Sequence, residues 1–165
     1  MGKQSDALGA KLRRGIAKAA AALVLEANRQ LRLAPPIGTP VQDGNARANW
    51  IPSVGQPSNA TGQAASVAGA AQVASYALGQ GDLYLVNRTP YIKRLNDGYS
   101  KQSPALFVET ALERAKTKVQ AMLRKAGSSV DLGGLGIAED QSAQDVSGDA
   151  AGNVAGAYSP FGGDE

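Results

Sequence analysis

Between residues 5 and 33 the apolar side chains Leu8, Leu12, Ile16, Ala19, Leu23, Ala27 and Leu31 recur every three or four positions. That spacing holds them on one side of an α-helix, because residues three and four apart lie above one another. At about 100° per residue, Lys11, Arg14, Lys18, Arg29 and Arg32 fall in a narrow arc on the other side. Ser5 or Asp6 can cap the start, the alanines from Ala17 to Ala22 favour the helix intrinsically, and Pro35 and Pro36 end it. A helix of this length measures about 42 Å, longer than the rest of the domain is wide. It is therefore expected to pack partly on another chain.

The remaining pattern is a string of short elements. Residues 46–54, with Trp50 and Ile51, read as a strand that Pro52 confines to an edge or a bulge. Residues 62–78 read as a helix with Val67, Ala71, Ala74 and Leu78 inward, whose Ala, Ser and Gly content lets a neighbouring backbone come close. Residues 82–86 alternate as a strand, and Thr89 with Pro90 opens a one- or two-turn helix that Asn96, Asp97 and Gly98 break. A last helix runs from Ser103–Pro104 to about Ala126, with Val108, Ala111, Leu112, Ala115, Val119, Met122 and Ala126 inward. The order αβαβα predicts an α+β fold: a long N-terminal helix, a small antiparallel sheet of short strands, two further helices and an extended C-terminal tail.

Two units are expected, a domain over residues 1–126 and an acidic, Gly-rich extension over 127–165. The formal charge of +3 conceals this division. Residues 1–126 carry 17 basic and 7 acidic groups, net +10, and the extension carries seven acids and no base, net −7. Its composition predicts disorder unless a basic surface, such as that of a neighbouring copy, holds it.

The chain has no Cys and no His. Thiolate metal sites and the commonest catalytic bases are therefore missing. No SxxK or GxSxG is present, no DxD or ExxE pairs the carboxylates, and Gly133–Gly136 lacks the strand, lysine and helix of a phosphate loop. The expectation is no enzyme, no cofactor and no metal. No signal peptide is read at the N-terminus, and the longest apolar run, residues 19–25, is too short to cross a bilayer.

What remains is assembly or binding. The basic arc is a solvated face, a contact for DNA backbone, or a seat for the acidic extension. Residues 87–104 (NRTPYIKRLNDGYSKQSP) set Tyr91, Tyr99 and Gln102 among the turn formers Asn87, Asn96 and Asp97. They form either a well-capped connection or a subunit contact, since Tyr and Arg anchor interfaces.

Two blocks of the sequence carry a resemblance. PVQDGNARANW supplies Pro40, Val41, Gly44, Ala46, Arg47 and Trp50, and the block ending at Pro104 supplies Asn87, Pro90, Tyr91, Leu95, Asn96, Gly98, Ser100 and Gln102. In this pairing the chain resembles the neck or tail-completion proteins of tailed bacteriophages, relatives of the lambda tail-completion protein. It departs from their pattern at Gln42–Asp43, where Asp-Thr is usual, so the carboxylate moves by one position. The resemblance implies a ring subunit at the virion's head–tail junction, made in the host cytoplasm, with six copies favoured over twelve. Its partners would be a connector or terminator ring and tail proteins, around channel DNA. Trp50, Asn87, Pro90, Tyr91, Asn96, Asp97, Tyr99 and Gln102 are the expected subunit-interface residues. The alternatives are a tail-terminator ring, or a small non-specific DNA-binding protein with an acidic regulatory tail.

Overall fold

The structure is a computed structural model that describes residues 2–126; the acidic extension lies outside the described residues. The fold is α+β, as the pattern predicts. Helix α1 (Gly2–Leu31) is followed by a single helical turn α2 (Asn45–Ala48), strand β1 (Ile51–Val54) and helix α3 (Gly62–Ala74). Strand β2 (Leu83–Val86), a short helical turn α4 (Ile92–Arg94), a wide turn at Leu95–Tyr99 and helix α5 (Phe107–Lys125) complete the described part.

The sheet is one antiparallel pair, with Ile51 opposite Val86 and Val54 opposite Leu83. Strand β1 is shorter than its apolar run because Gly44 takes a left-handed φ of 83° and Asp43 Oδ1 accepts the Asn45 N–H at 2.9 Å. Together these start a helical turn where residues 46–48 were expected to be extended.

Helices α1 and α5 form the spine. Leu31, Trp50, Phe107 and Ala111 make one buried cluster, and Leu23, Ala27 and Ala115 make a second. The end of α1 is closed from a distance by fully buried Thr39, whose N–H and Oγ1 both donate to the Leu31 carbonyl, at 2.9 and 2.8 Å. Trp50 Nε1 in turn donates to Thr39 Oγ1 at 2.8 Å.

Only the C-terminal half of the α1 stripe is used inside the domain. Leu23, Ala27 and Leu31 are buried, whereas Leu8 and Leu12 are 69% and 60% exposed. On α5, Met122 lies on the face of Ala111, Ala115 and Val119 but stands exposed near the far end, as does Ala126. Both were expected inside.

Helix α3 buries a face adjacent to the one its apolar residues suggest. Ser66, Gly69 and Val73 are buried, while Val67, Ala71 and Ala74 are exposed and Leu78 lies beyond the helix. The reason is backbone proximity: a Cβ at Gly69 would overlap the Pro52 carbonyl oxygen of β1. With Gly69 at the crossing point, helix and strand approach more closely than any side chain there would allow. The close approach expected of this helix is real, but it uses other residues.

Candidate functional site

The two sequence blocks, some forty positions apart, fold against each other. Val41 N–H donates to Gln102 Oε1 at 2.8 Å, and Ser103 Oγ donates to the Gly38 carbonyl at 2.8 Å. Asn45 Nδ2 donates to the Tyr91 hydroxyl at 3.2 Å, and Asn87 Nδ2 donates to the Ala46 carbonyl at 2.7 Å. Between the blocks runs an open groove of about 460 Å³, with Val41, Asp43, Tyr91, Leu95, Tyr99 and Gln102 in its walls.

Each wall residue is held by local chemistry. Asn87 Oδ1 accepts the Thr89 N–H at 3.1 Å and the Thr89 hydroxyl at 2.7 Å, which fixes the turn that delivers Pro90 and Tyr91 to the surface. Gly98 closes the wide turn with φ 89°, and its missing side chain leaves room for Ala105. Tyr99 is 68% exposed, with the Arg94 guanidinium 3.6 Å from its ring centroid. Such a cation–π contact is worth about 0.5–1 kcal/mol at an exposed site and steadies the ring for contact. Asp43, the carboxylate shifted by one position, is engaged as the cap of Asn45.

The remaining expected interface residues divide into support and surface. Trp50 is 5% exposed and belongs to the core behind the groove, because its indole N–H is taken by Thr39. Asn96 is turned to the start of α5: its Oδ1 accepts the Val108 N–H at 3.0 Å and its Nδ2 donates to Glu109. Asp97 is exposed and makes no side-chain bond among the described residues.

The five residues of the basic arc differ in their surroundings. Lys11, Arg14 and Lys18 are exposed on α1. Arg29 instead pairs with Glu26, at 2.6 Å from Nη2 to Oε1, and Arg32 lies on α3. Glu26 is the hub that periodicity missed. Its carboxylate accepts from Arg29, from Gln30 Nε2 at 2.8 Å and from Lys118 Nζ at 3.1 Å. The Arg29 hydrogen bond, acting against burial, carries its pKa down to about 2. Asn49 was also missed: its Oδ1 accepts the Gly62 N–H at 2.7 Å and caps α3 from the end of α2. A lone Glu within an apolar stripe, and an Asn just before Trp50, were the available signals.

Chemically the groove offers two phenols, a carboxylate and apolar walls, which suits recognition of another surface. Among the described residues no three His, Cys, Asp or Glu side chains gather as a metal ion requires, and no helix is long and apolar enough to cross a membrane. No family model matches the chain, and no curated protein or solved structure matches it either.

Proposed function

We propose that this chain is a structural ring subunit of a bacteriophage neck, acting by assembly and not by catalysis. The observation that supports this reading is the convergence of the two resembling blocks on one open groove with Tyr91 and Tyr99 exposed at its walls. Residues that served only to cap turns would have no need to share a surface. The uncovered half of α1 is a second contact: Leu8, Leu12 and Ile16 form an apolar stripe that a neighbour can bury. A groove at one place and a stripe at another make a heterologous contact, which closes into a ring when the rotation permits. Whether such a ring sits at the neck or terminates the tail is decided by its position in the particle.

The test is light scattering and electron microscopy of the purified chain. Rings of six are expected, or of twelve. Tyr99→Asp and Leu12→Asp should each yield monomers that still fold and unfold cooperatively, because both side chains are exposed in the single chain. A protein that stays monomeric at high concentration and is missing from purified particles would overturn the reading.

A second reading, non-specific DNA binding, is favoured by Lys11, Arg14 and Lys18, which make no ion pair among the described residues. It predicts a mobility shift of DNA with a steep salt dependence, one that Lys11→Glu combined with Arg14→Glu removes.

A further inference from the structure

We propose that the open edge of strand β2 pairs with the same edge of a second copy of this chain, antiparallel and centred on Tyr84. Within the sheet β2 uses one edge only, where Ile51 to Val54 run opposite Val86 to Leu83. In an antiparallel pair, opposed residues alternate between exchanging two hydrogen bonds and exchanging none. Pro52 has no N–H, so it and Leu85 form a bond-free pair, and Val54 with Leu83 is the next such pair. The Gly55 N–H donates to the Asp82 carbonyl at 2.8 Å, which fits the same alternation. The backbone groups of Asp82, Tyr84 and Val86 therefore face β1, while Leu83 and Leu85 turn their N–H and C=O groups outward. Among the described residues these four groups take no partner. Strand β2 is only half-buried along its length.

The edge matches itself. Leu83-Tyr84-Leu85 reads the same in both directions. A second copy laid antiparallel sets Leu83 opposite the partner's Leu85 and Leu85 opposite the partner's Leu83, and each of these pairs exchanges two hydrogen bonds. All four outward groups of each strand are then satisfied, and the two Tyr84 residues oppose each other in the bond-free pair between them. Edges that avoid such pairing carry a Lys, a Pro or a bulge, and residues 83–86 have none of these. Charge agrees: Asp82 is exposed at one end of the strand and Arg88 beyond the other, so an antiparallel neighbour brings acid towards base. Leu85 stays packed on the α1–α5 spine, so the core need not rearrange. With so few residues a side the contact is weak for a single pair of copies. It stands whether or not the chain forms a ring.

Because the chain has no cysteine, Tyr84→Cys places a single thiol at the centre of the pair. Mild oxidation of the full chain should then trap a disulfide-linked dimer, since opposed positions of a bond-free pair lie close to disulfide reach. Val86→Cys is the register control. It stands on the same strand, but its counterpart is about 13 Å away along the pair, so it should cross-link at least about tenfold more slowly. The Tyr84→Cys cross-link should persist when Leu12→Asp removes the α1 contact, so failure of the ring leaves it intact. A cross-link that disappears with Leu12→Asp, or one equally fast at both positions, overturns the proposal. Hydrogen exchange on the wild-type chain is a second measure that needs no variant to fold. The Leu83 and Leu85 amides should gain protection as protein concentration rises. Protection independent of concentration assigns the edge to another segment of the same chain and overturns the proposal, as does the absence of protection.

Discussion

Asn96 holds Glu109 across the start of α5, its Nδ2 donating to both carboxylate oxygens at 3.1 and 3.0 Å. With its Oδ1 on the Val108 N–H, this one side chain does what a capping box usually divides between two positions of the same helix. The residue that would ordinarily cap, Leu106, sits at φ 60° and its side chain forms no cap. Replacing Asn96 by Ala should cost about 1–2 kcal/mol in urea unfolding. Asn96→Asp should not restore it at neutral pH, because a second carboxylate would face Glu109.

Leu106 itself stores strain, since a branched residue in the left-handed region is disfavoured by about 1 kcal/mol. Its side chain is exposed, so little packing is lost with it. Leu106→Gly should leave stability unchanged or raise it by up to about 1 kcal/mol, measured in the same assay.

Glu26 predicts a pH dependence with a definite sign. Its folded pKa of about 2 lies below the ordinary 4.5, so the carboxylate stabilises the fold above that ordinary value. The contribution fades as pH falls from 4.5 towards about 2. Glu26→Gln should lose roughly 2 kcal/mol at pH 7 and almost nothing near the acid end of that window. Urea melts of both proteins across the range check this.

Thr39 joins the core tryptophan to the end of α1. Thr39→Val preserves shape but removes the acceptor for Trp50 Nε1 and one donor to the Leu31 carbonyl. A loss of about 2–3 kcal/mol is expected, because a buried indole N–H is left without a partner. Fluorescence of that single tryptophan reports both the unfolding and the altered surroundings.

Two glycines should respond with opposite signs. Gly69→Ala drives a methyl group into the Pro52 carbonyl and should destabilise by about 1–3 kcal/mol. Gly15→Ala in α1 meets nothing within 4 Å and should stabilise by roughly 0.5–1 kcal/mol. Melting temperatures of the pair separate close packing from helix propensity.

The long helix, the two short strands and the last helix were legible because each leaves a periodic trace in the sequence. The turn at residues 45–48 was not, since Asp43 and Gly44 set its geometry inside an otherwise strand-like run. The buried face of α3 was hidden for a related reason. Periodicity locates apolar residues, whereas Gly69 is inward through the absence of a side chain. At the candidate surface, the region containing Tyr91, Tyr99 and Gln102 could be read from its turn formers and aromatics. Its apposition to Val41 and Asn45 could not, because a contact across some fifty residues leaves no local pattern.

The uncovered half of α1 separates two kinds of failure. Leu8 and Leu12 contribute almost nothing to the interior, so the domain can tolerate their loss and still melt normally. A defect caused by changing them is therefore a defect of company. It reveals what the helix meets outside its own chain, and this makes that stretch a clean handle for finding neighbours.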